Sequence, residues 1–106
     1  MGSIRQTALT KAAKGQDCAL QIHPYCNGNP ETVVFCHFPS EDKGMSIKSP
    51  DYWGADGCEA CHAVIDGRMK TDLSKLDILE CMFRGIYRTW KNRLQRGLII
   101  AKGVND

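Results

Sequence analysis

Cys58-Glu59-Ala60-Cys61-His62 is the stretch on which the reading of this chain turns. Two cysteines separated by two residues make half of a tetrahedral metal site, and the histidine after them offers a further ligand. A second pair, Cys18 and Cys26, stands upstream with seven residues between its members. Four thiolates in two such pairs can close a structural Zn²⁺ site, with sulfur about 2.3 Å from the metal. Six cysteines in a short chain also fit a disulfide framework. The first residues, however, mix charge and polarity and show no secretory pattern. A reducing, cytoplasmic setting is therefore expected, which favours metal over disulfides. Cys36 and Cys81 are left outside the metal set, with Cys81 expected in packed core.

The 106 residues predict a single domain spanning 1–106. A core of this size is modest, and a metal staple supports it. No apolar run approaches the roughly 18 residues of a membrane span, so no membrane partner is expected. The net charge of +2 is unevenly spread. Residues 1–80 carry 8 Lys/Arg against 11 Asp/Glu, whereas residues 81–106 carry 6 Lys/Arg against 1 acid. A basic C-terminal segment of that kind suits phosphate, although a charge run also reads as a solvated helix face.

Residues 4–14 are rich in Ala and Lys and read as a short helix stopped at Gly15. Asn27-Gly28-Asn29-Pro30 is strong turn chemistry, so residues 18–30 read as a cysteine-anchored knuckle. Residues 32–38, β-branched and aromatic up to Pro39, form the best strand candidate. Residues 39–57 predict a long loop with a short second strand near 52–55. One helix is predicted from 58 or 59 to about Asp66. A second is predicted over about 72–96, capped by Thr71 or Asp72. Leu73, Leu76, Leu79, Phe83, Ile86, Tyr87, Trp90 and Leu94 recur there at steps of 3 and 4, and this stripe is expected to be core. Tyr87, Trp90 and Leu94 also suit an interface. Arg84, Arg88 and Lys91 share another face and are the candidate DNA-binding residues.

A cysteine knuckle, a strand ending in His37, a loop, and Cys58-x-x-Cys61-His62 opening a helix together resemble the HNH, or ββα-metal, nuclease family over residues 18–70. The likeness is closer still to a group of small phage- and prophage-encoded HNH-like nucleases, through Cys26-Asn27-Gly28-Asn29-Pro30-Glu31-Thr32 and the Cys-x-x-Cys-His-x3-Asp helix, and extends over most of the chain. The resemblance implies an α+β fold: a zinc-stapled ββα-metal (HNH) core with flanking N- and C-terminal helices. It implies metal-dependent hydrolysis of DNA phosphodiesters in phage DNA processing or recombination, inside a bacterial host. His37 then takes the general-base role, for which an imidazole is suited by a pKa near operating pH. His62 takes the catalytic cation, which would be Mg²⁺, Mn²⁺ or Ni²⁺. Asp66, four residues on and on the same helical face, is a second oxygen ligand or a partner that orients His62. Partners implied are DNA, a second copy of the chain, or phage recombination and replication proteins.

The chain departs from that pattern twice. Cys36 stands where many HNH members carry an acidic ligand, and a buried thiol suits Mg²⁺ poorly. The middle Asn of the motif is missing, and Asp51 or Asp56 is left to substitute. The rival reading is a non-catalytic zinc module for DNA or protein, which needs neither His37 nor His62.

Overall fold

The computed structural model describes residues 7–40 and 49–105. Its elements run α1 (Ala8–Lys11), a 3₁₀ turn (Pro30–Thr32), β1 (Val34–His37), β2 (Gly54–Gly57), α2 (Glu59–Ile65) and α3 (Lys75–Gln95). The predicted strand, strand, helix order is present, as are the flanking helices, while residues 41–48 of the loop expected between the strands lie outside the described residues. The N-terminal helix is short, and residues 4–6 of the stretch assigned to it lie outside the described residues.

β1 and β2 form a two-stranded antiparallel sheet that pairs Val34 with Gly57, Phe35 with Asp56, Cys36 with Ala55 and His37 with Gly54. β2 begins two residues later than expected because glycines bound it. At Gly54 a Cβ would overlap the Cys36 carbonyl, and at Gly57 it would lie 2.6 Å from Leu20 Cδ1 and 2.9 Å from Cys36 Sγ. Both strands of the pair approach so closely that only glycine fits at these positions. All four residues of β2 are buried, so the short strand expected near 52–55 is part of the interior.

α2 starts where the sequence places it. Cys58 is its N-cap, with Sγ accepting the Cys61 amide at 3.4 Å, and Asp66 is its C-cap. α3 starts later than expected. Ser74 rather than Thr71 or Asp72 is the cap, its hydroxyl accepting the Asp77 amide at 3.0 Å. The other two side chains are otherwise engaged. Thr71 Oγ1 accepts the Leu73 amide, and Asp72 accepts the Tyr25 hydroxyl at 3.0 Å.

The core gathers Ala13, Leu20, Ile22, Val33, Cys36, Phe38, Ala55 and Val64 around the sheet and the cysteines. The apolar stripe of α3 does not belong to it as expected. Leu76, Leu79, Phe83, Tyr87 and Trp90 are exposed, and only Leu73 and Ile86 pack partly against the core. The residues α3 buries are Gly85, Thr89 and Arg93. Gly85 lets the helix come close, since a Cβ there would lie 3.0 Å from both Ala55 Cβ and Leu20 Cδ2. Arg93 then reaches Asp56 on β2 through two contacts, Nη1 to Oδ2 at 2.7 Å and Nη2 to Oδ1 at 2.6 Å. Its Nε donates to the Leu9 carbonyl at 3.0 Å. The Asp56 amide donates to Thr89 Oγ1, and its carbonyl accepts from Ala19 and Leu20. A paired, fully hydrogen-bonded guanidinium is the form in which a charge can be buried. α3 is therefore docked by a polar clamp.

Candidate metal centre and histidine pairs

The four cysteines of the two pairs converge. The Sγ atoms of Cys18, Cys26, Cys58 and Cys61 all lie within 4.8 Å of one another. Cys18 and Cys61 are 3.6 Å apart and Cys58 and Cys26 3.9 Å apart. A tetrahedral thiolate site with metal–sulfur bonds of about 2.3 Å has edges of about 3.8 Å, so the observed spacings fit one. They are far too long for S–S bonds, and all six cysteines are free thiols. Backbone amides surround the sulfurs. Gln21 and Cys58 donate to Cys18, Ile22 donates to Cys61, and Asn27 and Cys61 donate to Cys58. The Cys18–Cys26 knuckle is thus folded to aim N–H groups at sulfur, which favours thiolate over thiol.

The electrostatics divide the sulfurs. The hydrogen bond with Cys61 holds the Cys18 thiol down to about 4, against burial and with help from the Gln21 and Cys58 amides. The same contact, together with burial, pushes Cys61 upward. Burial raises Cys26 to about 11. One anion is welcome among the four sulfurs and further anions are not, until a cation shares their charge.

Cys36 takes no part. It is fully buried, its Sγ faces the Val34 carbonyl at 3.6 Å, and burial pushes its thiol up. It remains a neutral core group beside His37.

His37 ends β1 with its ring edge-on to Phe35, centroids 5.0 Å apart. Its Nε2 lies 2.8 Å from Asp51 Oδ1. Burial acts to raise the Asp51 carboxyl, but hydrogen bonds from His37 and Thr7 outweigh it and hold the group low. Of the two aspartates left open by the sequence, Asp51 thus partners the histidine, and Asp56 is committed to Arg93. His62 sits in α2 with Nε2 3.3 Å from Asp66 Oδ2, and Arg68 Nη2 reaches the same oxygen at 3.2 Å. Both histidine–aspartate pairs are partly open to solvent. Among the described residues, the four cysteines are the one group of three or more Cys, His, Asp or Glu side chains close enough to hold an ion. His62 and Asp66 form a pair and not such a group.

The three candidate DNA-binding residues differ in what they are free to do. Arg84 pairs with Glu80 at 3.1 Å, and Lys91 lies over the Tyr87 ring, 5.9 Å from its centroid. Arg88 turns inward, donating to the Ala19 carbonyl at 2.8 Å. Arg96 likewise donates to the Ala12 carbonyl. Part of the positive excess of residues 81–106 therefore holds the fold together. Sequence reasoning missed Arg93 altogether, because its partner lies 37 residues away, and gave Asp51 no link to His37.

Among the described residues no helix is long and apolar enough to cross a membrane. The family model described as "Putative nuclease YbcO" matches residues 7–98. Curated relatives of the same name come from Escherichia coli K12 and Enterobacteria phage 82. Each is 38% identical over 97 residues, covering 88% of this chain and 97% of the relative. A solved structure titled "Structure of a putative bacteriophage protein from Escherichia coli str. K-12 substr. MG1655" superposes with a TM-score of 0.70 at 36% identity, over 84% of this chain and 99% of that one. A family match across almost the whole chain and two near-full-length relatives lead to one conclusion: the chain belongs to the YbcO family of nuclease-named phage and prophage proteins.

Proposed function

We propose that the protein is a metal-dependent endonuclease of HNH type that hydrolyses DNA phosphodiester bonds in phage or prophage DNA processing. The observation that carries this reading is the His37–Asp51 pair at the end of β1, Nε2 to Oδ1 at 2.8 Å. A carboxylate held low by its hydrogen bonds fixes the ring and stabilises the imidazolium that forms when His37 takes a proton from water. The other ring nitrogen is left for the water. His62, with Asp66 across one helical turn, offers a neutral imidazole and a carboxylate oxygen to a divalent cation. Such a cation, when bound, stabilises charge on the phosphorane and the leaving oxygen. The tetrathiolate group suits Zn²⁺ and has no open position, so its role is structural. It fastens the knuckle at Cys18–Cys26 to the start of α2 and thereby sets His62 relative to the hairpin. Arg84 and Lys91, with Arg88 behind them, supply contacts to the phosphate backbone that carry no sequence information.

The test is nicking of supercoiled plasmid with Mg²⁺, Mn²⁺ or Ni²⁺, wild type against His37→Ala. Wild type is expected to nick, and the variant to lose about 10²-fold or more of the rate, as expected when a general base is removed. The second reading, a zinc module that binds DNA or protein without cleaving, draws on the cysteine group being the one complete ligand set among the described residues. It is preferred if folded, zinc-loaded wild type leaves every DNA form intact with all three cations.

A further inference from the structure

The apolar stripe of α3 faces solvent. Leu76, Leu79, Phe83, Tyr87 and Trp90 are 75, 56, 75, 66 and 38% exposed. Their spacing lays them along one face of a helix 21 residues long. With aromatic side chains of about 150–250 Å² each, this face exposes on the order of 600 Å² of apolar-rich surface. That is at the upper limit of the largest patch on a typical monomer, about 300–600 Å². It approaches the roughly 800 Å² that each partner buries in a stable complex. The shallow groove beside it, floored by Phe38, Trp53 and Met82, widens the apolar surface further.

Charge selects the occupant. At 100° per residue, Glu80, Arg84 and Lys91 lie along one flank of the stripe. The acid stands toward the N-terminal end of α3 and the lysine toward the C-terminal end. A two-fold axis perpendicular to the helix brings two copies of α3 together antiparallel, and the same flank of each then meets the other in reverse order. Glu80 of each copy falls beside Lys91 of the other, Phe83 falls near Tyr87, and the helix dipoles oppose. The face is complementary to itself in this arrangement, whereas in a parallel pair the charged flank would meet the side of the stripe that carries Met82 and Ile86.

We infer that the protein forms a two-fold dimer through antiparallel packing of the exposed face of α3. The dimer stands independently of the nuclease reading. It brings the Glu80, Arg84 and Lys91 flanks of both copies to one side of the assembly.

The mass of the full, metal-loaded chain, measured by sedimentation equilibrium up to about 100 µM, tests it. Wild type is expected at twice the mass of one chain, dissociating on dilution. Phe83→Glu and Leu76→Glu are each expected to be monomeric with the circular dichroism of the folded chain, since both side chains are exposed in the single chain, and to lose the concentration dependence of the wild-type melting midpoint. Glu80→Lys should weaken the dimer several-fold, as loss of exposed ion pairs does, and adding Lys91→Glu should restore it. A monomeric wild type over the whole range overturns the inference, including one that gains mass only with duplex DNA. So does a dimer indifferent to both glutamate variants, or a charge reversal that is not rescued.

Discussion

Replacing Arg93 with methionine tests whether a polar clamp, rather than an apolar seam, fixes α3 to the sheet. The guanidinium and the Asp56 carboxylate are 1% and 3% exposed, joined by two contacts of 2.6 and 2.7 Å. Removing one partner strands the other charge in the interior, at a cost of about 3–5 kcal/mol. The lost bond from Nε to the Leu9 carbonyl adds about 1 kcal/mol. Against a domain stability of about 5–15 kcal/mol the expected loss is a large fraction of the whole. The melting midpoint should fall by well over 15 °C, at about 4–8 °C per kcal/mol for a chain near this size. Urea titration of metal-loaded protein measures the free-energy loss, and a thermal melt the midpoint. The double variant Arg93→Met with Asp56→Leu removes both charges, so it should be more stable than the sum of the single effects by about 2 kcal/mol or more. A loss under about 1 kcal/mol in Arg93→Met, or strict additivity in the double variant, would refute the reasoning. In that case the few partly buried apolar contacts of α3 would be what holds it.

Three further outcomes are expected. Cys58→Ser keeps a capping oxygen at the start of α2 but removes a thiolate, so metal content by mass spectrometry should drop from about one ion per chain to near zero; undiminished binding would mean that the four sulfurs are not the ligand set. Gly54→Ala must force the Cys36 carbonyl aside where β1 and β2 touch, at about 1–3 kcal/mol as overpacking usually costs, and a melting curve matching wild type would count against so close an approach. The Asp51 carboxyl is held below its usual 3.8, so its contribution to stability is complete above that pH and is lost as the pH falls below it through the folded-state value. Asp51→Asn should therefore flatten the acid limb of the stability profile there, and an identical limb in wild type and variant would show that the His37 pairing adds nothing.

The cysteine set was legible because metal ligands come in short local pairs, and the distance between the pairs matters little once a cation joins them. The strand ending at His37 and the helix opening at Cys58 were legible for a similar reason, since β-branched runs and caps are local signals. β2 was harder. Its Gly54-Ala55-Asp56-Gly57 sequence carries turn residues, and the reason for both glycines is a neighbouring strand that the sequence does not display. The α3 stripe shows the limit of periodicity. Spacing at 3 and 4 identifies a helix and its apolar face, but it does not say what that face meets. The face that is buried carries Gly85, Thr89 and Arg93 beside the partly buried Ile78, Met82 and Ile86, and the arginine is there because its partner is a carboxylate. Likewise the link between His37 and Asp51 joins residues 14 apart in the chain, for which no local spacing stands proxy.

The four sulfurs bracket the hairpin. Both strands lie in the 31 residues between Cys26 and Cys58, so an ion that joins the two cysteine pairs closes a loop containing the entire sheet. Closing that loop confines the chain before any strand contact forms, and the entropy lost at that step is no longer charged against pairing β1 with β2. Folding of the hairpin should then be first order in occupied metal site: slow and concentration-dependent in chelated protein as ion is added, fast once the ion is in place. A two-stranded sheet, marginal in isolation, becomes a persistent platform through a bond made at its two ends.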